Sequence, residues 1–272
     1  DAKAIGRSWP WSNIRLTTNE RESFKMTDQF SKLDNPVWWS LTTCHRRIAQ
    51  SNGSAHMMGE DFGPFAGLPD GTPDEIEDFL ALVAKRKSPA LTFTRGTPFG
   101  AQFKSSGKGV QFVPQKVEAP SKTSGIEVLT EADAFQIYDL AKRARPGPFK
   151  CRTHQLGDFI GIKRNGRLIA MAGQRLKLPG FTEISAVSVD SAYRGQGLGT
   201  ALVLEMAARI TAAGDAPFLH TYADNAGAIT LYQRLGFRIR AEVSLTIWDT
   251  EKIAEARSQE TTSSRRCARL VV

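Results

Sequence analysis

Residues 193–201 read YRGQGLGTA, which puts three glycines into five positions at the point where a helical pattern begins. Glycine costs backbone entropy and packs nothing. Its use there calls for something that approaches the backbone closely. A helix N-terminus carries unpaired N–H groups and a partial positive charge, so glycines before it make an anion site, with phosphate the common guest. The dinucleotide fingerprint is not met, because Thr200 stands where its last glycine would be, and no Gly-Lys-Ser/Thr P-loop is present. The spacing is instead Arg-x-x-Gly-x-Gly, filled by Arg194, Gly197 and Gly199.

Further along, Asn225 and Tyr232 lie seven residues apart in a helical stretch, which brings both to one face. Glu183 sits eleven residues before Arg194, and His220 lies on the strand pattern that follows the glycine-led helix. Cys44, Cys151 and Cys267 are far apart and make no CxxC pair, so no disulfide framework is expected and a reducing, cytoplasmic setting is. His45, His56, His154 and His220 show no metal-ligand spacing, and no metal site is expected.

The elements that must position these residues follow from periodicity. Leu198, Leu202, Met206 and Ile210 recur every four residues as an apolar stripe, with Gly214 as its C-terminal stop. Before them, residues 181–190 (FTEISAVSVD) read as a strand that ends at the glycine loop, and residues 158–176 as two strands turned at Asn165-Gly166. Residues 130–144 read as a helix capped by Thr130 and Asp133. Residues 217–223 read as a strand, 225–237 as a second helix stopped by Gly236, and 238–248 as one or two further strands. The order from residue 126 is β-α-β-β-β-α-β-α-β.

The strand, the RGQGLG loop, the helix and the later NAGAITLYQRLGF segment, in that order, resemble the GNAT superfamily of acyl-CoA-dependent N-acetyltransferases over residues 126–249. Within the superfamily the segment resembles the C-terminal half of glycine N-acyltransferases. The resemblance implies an α+β fold with a mixed, mostly antiparallel twisted sheet flanked by helices. It implies acetyl-CoA as co-substrate, an amine acceptor (small molecule, amino acid or peptide) and direct attack through a ternary complex. Coenzyme A would be held by Val187, Ser188, Val189, Arg194, Gly195, Gln196, Gly197, Leu198, Gly199, Thr200, Asn225 and Tyr232. Tyr232 would be the general acid toward the departing thiolate. Glu183 would be the general base, its pKa raised in a partly buried cleft, with His220 the alternative base. A non-catalytic acyl-CoA sensor and a nucleic-acid-binding protein remain as rival readings.

The remainder is less explicit. Residues 1–26 are polar and aperiodic and read as a disordered or non-native segment. Asp1 stands in place of Met, and Met26 is one candidate for a natural start. Residues 27–118 read as a smaller α+β half, a candidate degenerate GNAT-like domain forming one wall of the acceptor cleft. It has a helix over 33–50 capped at Asn35, a helix over 72–86, strands at 90–94 and 109–114, and a loop between those strands. Residues 119–125 read as a linker, and 250–272 as a tail with a short helix and then disorder. The net charge is +8. Between residues 140 and 177 Asp158 is the single acid among many Lys and Arg, a run that suits a polyanionic cofactor, a carboxylate substrate or nucleic acid. Arg145, Arg152 and Arg164 are candidates to hold an acceptor carboxylate. No apolar stretch approaches bilayer length, so no membrane partner is expected.

Overall fold

The computed structural model describes residues 30–95, 104–120 and 125–268. The segment 1–26, much of the loop before residue 104 and most of the expected linker lie outside the described residues.

The first helix, α1 (Pro36–Thr42), starts on a proline whose φ is already helical. Asn35 does not cap it. Its Nδ2 donates instead to the carbonyls of Leu68 (2.7 Å) and Pro69 (3.2 Å). The helix stops well short of residue 50: Thr43 leaves the helical region (φ −121, ψ −97), and Thr42 Oγ1 and Thr43 Oγ1 donate back to Trp38 O and Trp39 O in the last turn. The chain then forms a three-stranded antiparallel sheet from β1 (Ala49–Asn52), β2 (Ala55–Met58) and β3 (Ala66–Gly67). The helix α2 (Pro73–Val83) opens on a capping box between Thr72 and Glu75.

The remaining elements are β4 (Ala90–Thr94), β5 (Lys104–Pro114), β6 (Ile126–Leu129), α3 (Ala134–Ala144), β7 (Phe159–Arg164), β8 (Arg167–Leu178) and β9 (Phe181–Val189). They continue with α4 (Leu198–Ala212), β10 (Ala216–Tyr222), α5 (Ala226–Arg234), β11 (Phe237–Trp248) and α6 (Thr250–Ala268). Eight strands form one sheet in the order β4-β11-β5-β10-β9-β8-β7-β6. β9 and β10 pair parallel, and every other neighbouring pair in this sheet is antiparallel. Asn165 and Gly166, both at positive φ, turn β7 into β8 as the sequence requires. β8 is apolar on both faces because both are covered. Leu168 and Met171 meet Ile137 and Leu140 of α3, while Ile169, Ala170 and Ala172 meet Leu202 and Met206 of α4.

The expected partition into two halves does not follow the backbone hydrogen bonds. β4 and β5, read as part of the N-terminal half, are strands of the same sheet as the glycine loop. β5 lies between β10 and β11 and pairs with β11 from Phe237 to Trp248. The strand expected over 109–114 starts earlier, at Lys104, so Gly107, read as loop, is within it. At Gly109 the glycine serves crowding: an added Cβ would lie 2.5 Å from Leu245 Cδ1 and 3.2 Å from Thr221 O. The segment just before the expected linker is also tied in. Gln115 and Lys116 donate their N–H groups to Gly236 O, and Val117 is buried in the main core. The tail is a helix that runs to Ala268, longer than expected.

Candidate active site

The site is made by two strands that separate. β9 and β10 pair over three positions, Phe181–Glu183 against Ala216–Phe218. Beyond them, Leu219–Tyr222 of β10 pair with β5, which leaves the end of β9 facing a gap. A bulge sharpens the separation. Met171 opposes Ser188 and Gly173 opposes Ser185, so Ala186 and Val187 stand against one residue of β8. Ala186 takes φ +54, an uncommon conformation for a residue with a Cβ. The gap is a cavity of about 550 Å³.

At one end stands the glycine loop. Gly195 and Gly197 have φ of +77 and +75. A Cβ at either would meet nothing within 4 Å, so no crowding within the protein demands glycine there. The positive φ demands it, and the absence of side chains leaves the entry to α4 open. Gly197 is the N-cap and makes no side-chain cap bond, so the first-turn N–H groups of α4 remain available to an anion. Leu198 has its side chain in the core and offers only its backbone. Arg194 is exposed and forms part of the cavity wall. The neighbouring Asp190 carboxylate does not oppose an anion. It accepts from Ala192 N–H, Arg143 Nη1 (2.5 Å) and Arg167 Nη2 (3.1 Å), and these bonds hold its pKa below the usual range.

Val187, Ser188, Val189, Arg194, Gly199, His220, Asn225 and Tyr232 all line the cavity. Gly195, Gln196, Gly197, Leu198 and Thr200 lie outside its wall, along the entry to α4. Asn225 caps α5, its Oδ1 accepting from Ala228 N–H at 3.1 Å. Tyr232 is buried with its ring edge-on to Phe112, 5.4 Å between centroids. Burial, and then the charge of Glu183, push its hydroxyl up to about 12.

Glu183 corrects the sequence reading. It is fully buried and behind the cavity wall. Arg175 grips it side-on, Nε to Oε2 at 2.9 Å and Nη2 to Oε1 at 2.6 Å, and His220 Nδ1 reaches Oε1 at 2.8 Å. Burial alone would raise its pKa, but the Arg175 charge and these hydrogen bonds outweigh burial and bring it to about 2. The expected upward shift is reversed, and such a carboxylate accepts a proton poorly near neutrality.

The same network fixes His220. Arg240 can only donate, and its Nη1 meets Gln111 Oε1 at 2.8 Å. Gln111 Nε2 donates to Leu33 O at 2.9 Å, so the amide has one orientation. That nitrogen also lies 3.0 Å from His220 Nε2, which must therefore accept. The imidazole proton is then on Nδ1, donated to Glu183. The ring's basic lone pair faces Gln111, and Phe93 stacks on the ring at 5.1 Å. Arg175, Gln111, Arg240 and Phe93 were missed in the sequence. Their only trace was a polar residue inside an otherwise buried strand, as with Arg175 and Gln111.

Much of the basic run is matched internally. Arg143, Lys163, Arg167, Arg175 and Lys177 each find a carboxylate. Arg145 lines the cavity, but Arg152 and Arg164 do not. Arg152 bonds Gln155 (2.9 Å) and lies over Phe62 (4.4 Å), while Arg164 pairs with Arg167 beside the β7–β8 turn. Among the described residues no group of three potential metal ligands comes together, and no helix is long and apolar enough to cross a membrane.

Residues 159–247 match the FR47-like protein family. A putative acetyltransferase of the GNAT family from Novosphingobium aromaticivorans superposes with a TM-score of 0.72 at 31% identity, covering 79% of this chain and 96% of that one. The chain belongs to the GNAT family. The N-alpha-acetyltransferase RimI of Mycobacterium tuberculosis is 32% identical over 124 residues that make up 42% of this chain and 77% of RimI. Mycothiol acetyltransferase from Mycobacterium avium is 40% identical over 84 residues, and the match spans 27% of each protein. The likeness thus covers most of the chain in one solved relative and a shorter segment in others.

Proposed function

We propose that the protein is an N-acyltransferase that moves an acetyl group from acetyl-CoA to a primary amine by direct attack in a ternary complex. The observation that carries this reading is one cavity, opened by the splay of β9 from β10, which has Arg194 and Gly199 of the helix entry and Tyr232 in its wall. The residues present fit coenzyme A. The bare first turn of α4 and Arg194 suit its pyrophosphate, and the freed edge of Val187–Val189 suits the amide groups of its pantetheine arm. When bound, the co-substrate supplies a thioester carbonyl as electrophile. The amine nitrogen forms the new C–N bond, the C–S bond breaks, and the proton lost by nitrogen ends on sulfur.

Tyr232 stays protonated throughout the neutral range. Its hydroxyl, up at about 12, is a far weaker acid than a thiol near ~8.5, so it serves by donating a hydrogen bond to the forming thiolate. The proton itself travels from the amine through water. Glu183 accepts from both Arg175 and His220, and neither Glu183 nor His220 takes a proton from the amine. Asn225 fixes the start of α5 and so the placing of Tyr232. The likeness to glycine N-acyltransferases adds an amino acid to the acceptor classes, and RimI adds a peptide N-terminus.

Calorimetry with acetyl-CoA tests the reading. Wild type binds in the micromolar range, and Gly197→Trp loses binding by at least about a hundredfold. Tyr232→Phe keeps binding and loses about a hundredfold or more in kcat. A Tyr232→Phe variant as active as wild type would remove the role given to the hydroxyl, and absence of turnover with any amine by a tightly binding wild type would favour the sensor reading.

A further inference from the structure

The cavity wall is cationic. It contains Arg145, Arg175 and Arg194 and, among the described residues, no aspartate or glutamate. Arg194 stands beside the glycine loop, where the coenzyme phosphates are placed. The other two guanidiniums have no such task.

Arg175 is held rigidly. Nε and Nη2 are used on Glu183, and the guanidinium lies over the rings of Phe65 (4.8 Å) and Phe93 (5.8 Å). Nη1 has no protein partner among the described residues, and the side chain forms part of the cavity wall. Arg145 has no side-chain partner among the described residues either. It terminates α3 at φ +52, the left-handed position that glycine normally takes. A side chain there carries a strain of about 1 kcal/mol or more, which is a reason to look for a function. Arg145, Pro146, Gly147 and Pro148 are all wall residues, and the two prolines stiffen the segment that presents the arginine.

We propose, resting on the transferase reading above, that the acceptor is an amine bearing a carboxylate within a few atoms of its nitrogen, bound by Arg145 and the free edge of Arg175. This replaces the trio of Arg145, Arg152 and Arg164 suggested by local charge. The cationic wall also disfavours an ammonium ion and favours the neutral amine, which is the nucleophile. That suits a site whose buried Glu183 and His220 are both committed to other partners. A carboxylate on the same molecule offsets the cost of bringing an amine into such a wall.

The test uses the whole chain, a panel of free amino acids beside their matched carboxamides, and thiol release as the rate. Thermal shift with the N-acetyl amino acids and their amides, in the presence of CoA, gives a second readout without turnover. The expected result is a kcat/KM at least about tenfold higher for acids than for amides, with the N-acetyl acids raising Tm more. Arg145→Gly suits the positive φ, so it folds, and it is expected to erase most of that preference by raising KM for the acids while acetyl-CoA affinity holds. Equal or better use of the amides overturns the carboxylate site, as does failure to acetylate any member of the panel by an enzyme that binds acetyl-CoA. Failure of wild type to bind acetyl-CoA overturns the transferase reading and this proposal together.

Discussion

Two regions of the site are built differently. The glycine loop, proposed above to hold the coenzyme, is a single run of chain, Arg194 to Thr200, and what it offers is mostly backbone N–H donors. Behind the cavity wall lies a side-chain network gathered from five separate elements: Arg175 on β8, Glu183 on β9, His220 on β10, Gln111 on β5 and Arg240 on β11, of which Arg175 and His220 reach the wall. A backbone site tolerates change in its neighbours and fails only when a side chain blocks it. A buried network has no spare partner, so each loss leaves a charge or a polar atom unpaired in low dielectric. The first kind of site is specified by local φ and ψ, the second by strand order.

That contrast is breakable, and the largest effect belongs to the network. Glu183→Gln strands Arg175 as an uncompensated buried cation and is expected to cost about 3–5 kcal/mol in urea unfolding. A variant as stable as wild type but lacking activity would restore Glu183 as the base. The next effect is in pH. Glu183 titrates at about 2 when folded, against 4.5 for an ordinary glutamate. The unfolded chain therefore takes up the proton first. The stabilisation, about 3 kcal/mol, is complete above pH 4.5 and disappears as pH falls toward 2. Stability measured from pH 6 to 2 shows that slope in wild type, and a profile no steeper than that of Glu183→Gln counts against it.

Gln111→Leu comes third, with an expected loss of about 1–3 kcal/mol from the unpaired groups it leaves. Imidazole ¹⁵N spectra sharpen this case. Wild type shows His220 as the Nδ1–H tautomer, and the variant frees Nε2 from its donor. An Nε2–H tautomer in wild type would reverse the amide assignment of Gln111. The smallest effect is in the loop. Gly195→Ala imposes a Cβ at φ +77 but touches no atom, so about 1 kcal/mol of stability is expected to go. A loss as large as that of Glu183→Gln would mean the loop is packed as tightly as the network.

The chain itself determined the pieces whose causes are local. The glycine spacing before an apolar four-residue stripe fixed a helix entry open to an anion. Asn165-Gly166 fixed a hairpin, and the seven-residue step from Asn225 to Tyr232 fixed a shared face. The tertiary structure decided the rest, because pairing between distant strands leaves little mark on either one. Residues 104–108 around Gly107 read as loop, and their pairing with β11 makes them strand, while crowding from Leu245 and Thr221 explains the glycine at 109. Glu183 looked like a base because its offset from Arg194 can be counted, whereas its pKa is set by Arg175 and His220, which only the sheet brings to it. Arg145 was one of three arginines in a basic run that local charge could not tell apart, and the left-handed turn after α3 placed it in the cavity wall while Arg152 and Arg164 stayed outside. Sequence spacing controls the backbone within a few residues, while the electrostatics of a buried group depend on every element that closes over it.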